Sequence, residues 1–558
     1  MFDKRLISAL VVCSAIVSAA AAAPARPPQA AIASAHPLAT AAGMEVLEAG
    51  GNAFDAAVAV AAALGVVEPF SSGLGGGGFY LLHRAADGFE VMIDGRECAP
   101  RAAHRDMFVD AQGNVVPERA REGALAAAIP GTPAALAHIA RRYGRLPLAR
   151  SLAPAVRLAR EGFPVDARLA AITAQRAEFL KRHGHVADVY LLDGRAPREG
   201  EILRNPALAA TLEALGADGG ESFYRGAIAR RLVDGVRAAG GIWTLDDLRQ
   251  YRVVERAPLR GEYRGLRITT ASPPSSGGVV LIDTLNILAG YDLAALDAVT
   301  RKHLIVEAWR RAYRDRAEFL GDPDFVPVPI ELLTHPFYAA GQRNSIRFDR
   351  ALPSAFLPAV LPAAGAGANT THFSILDAEG NRVAGTQTIN FRYGSGVMPP
   401  GTGVVLNNEM DDFSAKPGVP NGFALVQGEA NTIAPGKRPL SSMAPTFIES
   451  ERGVAILGTP GGSRIISMVT LAVLDYAAGG GAASLVRVPR FHHQFLPDEI
   501  QYEPGGLTAE ERAGLAARGH VLKELPRRYG NMNVVVWDYE DNRVEVATDP
   551  RNEAVVDF

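Results

Sequence analysis

The chain has 558 residues, is 48% hydrophobic and 21% charged, and carries a net charge of −3. That composition is typical of a globular protein with ample core, and it offers no electrostatic footprint for nucleic acid or an anionic membrane surface. The length suffices for three or four domains of ordinary size, or for fewer if one large sandwich absorbs most of the chain.

Lys4 and Arg5, the apolar run from Leu6 to Val17 and the small residues Ser18 to Ala23 make a secretory leader, cleaved near Ala22 or Ala23. Residues 1–23 are therefore set apart from the fold. The apolar run is short for a membrane span, so an exported protein, periplasmic or secreted, is expected. After the leader is removed, Cys98 is the only cysteine left. No intrachain disulfide can form, and the fold must rest on its hydrophobic core. Cys98 reads as a buried small hydrophobe more readily than as a nucleophile.

In chain order, His36 to Glu48 reads as a helix. Asn52 can cap a second, mostly apolar helix from Ala53 to Val67, which Glu68-Pro69 ends. A glycine run, Gly73 to Gly78, precedes an apolar strand from Phe79 to Leu82 and another from Phe89 to Asp94. The glycines alone invite comparison with a phosphate loop or a dinucleotide site. No Lys-Ser/Thr follows and no βαβ unit surrounds them, so close backbone packing is the better reading. Residues 148–239 are mainly helical in pattern. A strand at Leu266 to Thr270 leads through a Pro/Ser/Gly loop to helices at Val279 to Leu288 and His303 to Phe319. The histidines at 183, 185, 492 and 493 lack the spacing of a metal site, and neither metal nor cofactor is expected.

From Leu352 to Ala368 the chain is rich in proline, alanine and glycine and nearly uncharged, as a linker would be. A strand from Thr371 to Asp377 follows, then a turn in which Gly380 supplies positive φ, then a return strand from Arg382 to Asn390. If Asp377 faces Asn381, equal steps back from the turn set Thr370 opposite Thr388, with Asn390 at the same mouth. Scission of the preceding peptide would turn Thr370 into an amino terminus. An N-terminal threonine joins a nucleophilic hydroxyl to its own basic α-amine, which titrates near ~7.7–8.0.

Several motifs occur in one order: Gly50-Gly51-Asn52-Ala53-Phe54-Asp55-Ala56-Ala57, Leu74-Gly75-Gly76-Gly77-Gly78-Phe79 and Arg96-Glu97-Cys98-Ala99-Pro100. Pro273 to Gly278 and Gly321-Asp322-Pro323-Asp324-Phe325 come next. Thr370 to Ser374, Leu406 to Phe413, Lys437 to Met443, Pro460 to Arg464 and Pro489 to Gln494 complete the set. Together they resemble the γ-glutamyltranspeptidases, or glutathione hydrolases, over nearly the whole mature chain. The resemblance implies an α+β, four-layer αββα sandwich of the N-terminal nucleophile type. It also implies a cut between Asn369 and Thr370, giving a large subunit (24–369, with 351–369 as flexible linker) and a small catalytic subunit (370–558) that remain a heterodimer.

The same resemblance assigns roles. Thr370 would be the nucleophile, Thr388 its orienting partner, and Gly461 and Gly462 the oxyanion hole. Arg96 with Ser441 and Ser442 would take the donor's α-carboxylate, and Glu409, Asp412 and Asn390 its α-ammonium. Partners would be small γ-glutamyl donors such as glutathione, with water, amino acids or peptides as acceptors. Pro417 to Val426 matches a lid whose tyrosine, in part of the family, bonds the equivalent of Asn390; here Phe423 stands in the lid. Two alternatives are an acylase for another amide, such as a glutaryl-cephalosporin, and an inactive binding homologue. The first predicts loss of the ammonium-binding carboxylates, and the second a damaged nucleophile or oxyanion loop.

Overall fold

The computed structural model describes residues 26–357 and 370–553. The expected leader, Asn369 and most of the linker lie outside the described residues. Helix α1 spans Pro37–Glu48 and α2 spans Ala53–Val67. Asn52 caps α2 by accepting from the amides of Phe54 (3.0 Å) and Asp55 (3.1 Å), and the Asp55 carboxylate accepts from the Asn52 amide in return. This reciprocal box satisfies amides that the first turn would leave orphaned. All but one residue of α2 is buried, which suits its Ala/Val composition.

Two six-stranded sheets dominate. The strands of the first are β1 (Ala31–Ser34), β2 (Gly77–Arg84), β3 (Phe89–Gly95), β4 (Val254–Arg256), β7 (Thr371–Leu376) and β8 (Arg382–Thr388). The second holds β5 (Leu259–Tyr263), β6 (Leu266–Thr270), β9 (Thr446–Ser450), β10 (Gly453–Gly458), β11 (Asn533–Asp538) and β12 (Arg543–Thr548). The first sheet runs β1-β7-β8-β2-β3-β4 and the second β12-β11-β10-β9-β6-β5, antiparallel throughout. β1 was not anticipated from the sequence. Its four residues are too few to show an alternation, and pairing with β7 defines it.

Helices α1 and α2, with Thr132–Tyr143 and Leu148–Glu161, share a core with one face of the first sheet, including Tyr80, Leu82, Phe373 and Ile375. Helices α3 (Gly277–Leu288), α4 (Ala298–Phe319) and α5 (Arg464–Ala477) share another with Ile268, Ile448 and Leu457 of the second sheet. A third cluster joins Leu81, Leu376 and Ala384 of the first sheet to Phe447, Ile456 and Val535 of the second.

The β7–β8 hairpin has the anticipated register. Arg382 faces Leu376 and Gln387 faces Thr371, and the Asp377 amide donates to the Asn381 carbonyl at 3.0 Å. Gly380 has φ +93°, as the turn demands. Asp377 ties the turn to α2 by accepting from the Ala53 amide at 2.9 Å. On the far side of β8 lies the glycine run. A Cβ on Gly76 would stand 1.9 Å from the Thr388 carbonyl oxygen, and one on Gly75 would stand 2.0 Å from that of Val405. Only glycine permits that approach.

Candidate active site

Thr370 immediately precedes β7 and is buried, and its hydroxyl donates to that of Thr388 at 3.4 Å. The Thr388 oxygen also accepts from the Asn390 amide at 2.8 Å, so two donors converge on it. Asn390 turns the chain out of β8 at φ +73° and donates its side-chain amide to the Asn408 carbonyl at 2.9 Å. All three line one narrow cavity.

Arg96 enters the same cavity from the end of β3. Its Nε donates to the Pro439 carbonyl at 3.0 Å, and its two terminal nitrogens pair with Glu409 and Asp412. The acids come from a single helical turn, Glu409–Asp412, on a segment that packs along the glycine run; the Asn407 side chain donates to the Gly75 carbonyl at 2.7 Å. Glu97 lies 3.6 Å from the same guanidinium. The sequence suggested that Arg96 and the acids would act separately on a ligand, whereas here they hold one another. Buried charges need compensation, and one guanidinium among three carboxylates supplies it. Burial raises the pKa of Glu409 well above its ordinary value, raises that of Asp412 as well, and pushes that of Glu97 up to about 7. The surrounding carboxylates move Arg96 upward against the effect of burial.

Ser441 and Ser442 also line the cavity. The loop after β6 clamps them: the Ser276 amide and hydroxyl both donate to the Ser441 carbonyl, at 2.8 and 2.6 Å. Gly461 and Gly462 follow β10 at φ +146° and +56°. Among the described residues neither amide donates a hydrogen bond, and Gly462 reaches the cavity wall with Gly461 immediately before it. Free N–H groups beside a nucleophile suit a developing oxyanion.

Phe423 forms part of the cavity wall and stacks on Phe391, with ring centroids 5.0 Å apart at 14°. The segment carrying it is pinned by the Gly422 amide on Asp411 at 2.8 Å and by Gln494 on the Phe423 and Ala424 carbonyls. Aromatic packing thus seats this segment without a tyrosine hydroxyl. Sequence reasoning missed Arg316, which lines the cavity from α4. Its only signal was an arginine within an arginine-rich helix, a pattern that ordinarily marks a solvated face.

His303, Glu307 and His520 bring ligand-type atoms within 4.8 Å of one another. Arg310 and Arg311 already hold both oxygens of Glu307, at 3.1 and 2.8 Å, and their charge opposes a cation there. His492 is spent on Ser467 and Gln494, and His493 on Asp498.

Residues 39–557 match the Gamma-glutamyltranspeptidase family. The chain belongs to that family. It is 39% identical to the glutathione hydrolase proenzyme of Escherichia coli K12, over 99% of this chain and 98% of that one. Among solved structures it resembles the cephalosporin acylase of Bacillus halodurans, with a TM-score of 0.83, 29% identity and coverage of 99% and 98%. It also resembles the gamma-glutamyltranspeptidase of Helicobacter pylori, with a TM-score of 0.57 and 40% identity over 58% of this chain and 93% of that one. Membership makes the chain an enzyme of the glutathione hydrolase and γ-glutamyltransferase kind.

Proposed function

We propose that this chain is a self-cleaving N-terminal threonine hydrolase that opens the γ-glutamyl amide of glutathione and related compounds. The observation that carries the reading is Thr370 immediately before an interior strand, hydrogen-bonded to Thr388 and sharing one cavity with Arg96, Glu409, Asp412 and Gly462. The two sheets, with helices on their outer faces, form the αββα sandwich of N-terminal nucleophile enzymes. Residues 1–23 are a leader that exports the protein to the periplasm or beyond; no helix among the described residues is long and apolar enough to cross a membrane.

Maturation begins when the Thr370 hydroxyl attacks the Asn369 carbonyl. The acyl group moves from nitrogen to oxygen, and water hydrolyses the ester, leaving an Asn369 carboxylate and a free Thr370 amine. In turnover that amine takes the hydroxyl proton as the oxygen attacks the donor's γ-carbonyl. The amides of Gly461 and Gly462 stabilise the oxyanion, by about 3–4 kcal/mol per donor in comparable sites. The leaving amine takes the proton, and a γ-glutamyl ester remains for water or an acceptor amine. The donor's zwitterionic head meets both signs of charge: Glu409, Asp412 and Asn390 for the ammonium, and Arg96, Ser441 and Ser442 for the carboxylate.

Likeness to a cephalosporin acylase favours a second reading, hydrolysis of a glutaryl amide. A glutaryl group lacks the ammonium, and Glu409 and Asp412 would then be left facing a ligand without positive charge. The test compares γ-glutamyl and glutaryl anilides as substrates of purified protein whose fragments have been weighed by mass spectrometry. The γ-glutamyl substrate is expected to be favoured at least tenfold, with a light fragment beginning at residue 370. Thr370→Ala is expected to give one uncut, inactive polypeptide. Equal turnover of the two anilides, or a normal two-fragment pattern from Thr370→Ala, would overturn the proposal.

A further inference from the structure

Arg316 projects from the last turn of α4 into the cavity wall and is 2% exposed. Among the described residues no carboxylate lies within 4.0 Å of it, unlike Arg96, Arg310 and Arg438. Its hydrogen bonds go to neutral oxygens: Nε to the Ser276 hydroxyl at 2.9 Å, Nη1 to the Gln427 side-chain Oε1 at 3.5 Å and Nη2 to the Ser442 hydroxyl at 3.3 Å. Three of the five guanidinium protons are so accounted for, and the two contacts from the terminal nitrogens are long. A guanidinium so desolvated, with no carboxylate in direct contact, is costly; Asp412, beyond contact distance, offsets only part of that cost, and Arg316 shares its cavity with the candidate nucleophile. Burial lowers its pKa to about 10, which leaves it cationic at neutral pH.

Two details show what it is placed to do. Both terminal nitrogens of Arg96 are already paired with Glu409 and Asp412, so its charge is matched by carboxylates, whereas the hydrogen bonds of Arg316 go only to neutral oxygens. In addition, because Nη2 of Arg316 donates to the Ser442 oxygen, the Ser442 O–H proton is directed elsewhere and can be offered to an acceptor. The cation and the hydroxyl form a ready site for one carboxylate oxygen. We propose that Arg316 binds the α-carboxylate of the donor together with Ser442, as a second arginine of the donor pocket. The assignment rests on the γ-glutamyl reading above and deepens it. With Arg96, Arg316, Glu409 and Asp412 the cavity wall carries two positive and two negative side chains, which matches a zwitterionic head.

The test crosses a protein change with a substrate change. γ-Glutamyl anilide is compared with the analogue whose α-carboxylate is a carboxamide, for the unaltered enzyme, Arg316→Gln and Arg316→Lys, with cleavage into two fragments as the check on folding. Arg316→Gln is expected to raise KM for the carboxylate donor at least tenfold while kcat changes less than threefold. For the carboxamide donor kcat/KM should stay within twofold, and Arg316→Lys should recover part of the loss. Equal losses on both donors would show that Arg316 only braces the Ser441–Ser442 loop through Ser276, and would overturn the assignment while leaving the γ-glutamyl reading intact. If the unaltered enzyme fails to turn over γ-glutamyl anilide, the reading falls and the assignment with it. Should Arg316→Gln not process, Arg316→Lys decides alone: a shift confined to the carboxylate donor supports the assignment, and no such difference overturns it.

Discussion

Thr388 shows how much of the site depends on a single hydroxyl. It receives the Thr370 hydroxyl and the Asn390 amide. Thr388→Val keeps the shape but leaves a buried N–H without its acceptor, at about 1–3 kcal/mol. We expect self-cleavage and kcat to slow by about tenfold to a hundredfold, measured by gel densitometry over time and by steady-state assay. The acids give a pH signature. Because burial raises Glu409 and Asp412, they take up protons at a higher pH than ordinary carboxylates near ~4, and protonation removes the charge that would hold the donor ammonium. KM for the donor should therefore climb on the acid side from a pH above that ordinary range. Asp412→Asn should raise KM at neutral pH and weaken the acid dependence; a KM–pH profile superimposable on that of the unaltered enzyme would remove Asp412 from the role. The sequence made these residue types legible through their motifs, but not their mutual pairing. No pattern announces that Arg96 would spend its terminal nitrogens on Glu409 and Asp412, because the partners are more than three hundred positions apart.

At the scale of elements, short-range chemistry was the readable part. The Asn52 cap and the Asp377–Asn381 turn were both visible because their causes lie within a few residues. The hairpin register followed from the turn and set Thr370 against Thr388. β1 and the placement of Arg316 were not visible, since one depends on a distant partner strand and the other on which face of a long helix is covered. The glycine run acts here as well. In Gly76→Ala the new methyl would collide with the Thr388 carbonyl, so β8 must shift and carry the Thr388 hydroxyl with it. Overpacking of this kind costs about 1–3 kcal/mol. A melting temperature lower by a few degrees, together with slowed cleavage, is expected from calorimetry and gel analysis; unchanged values for both would show that the loop yields without cost.

For the whole molecule, the proposed break after residue 369 does not coincide with a boundary of the fold. In the first sheet β7 and β8 lie between β1 and β2, which precede the break, and in the second sheet β9 pairs with β6. Each sheet is woven from both segments, and the core between the sheets includes both. The fragments should therefore migrate as one species in native size exclusion and separate only in denaturant. Recovery of a lone light fragment under native conditions would contradict the interlocked arrangement. The position of Thr370 has a further consequence. Its side chain is buried just before an interior strand, so the hydroxyl proposed to cut the chain is held within the same molecule. If that hydroxyl cuts the chain as proposed, maturation is a clock internal to each molecule, first order in precursor and indifferent to dilution.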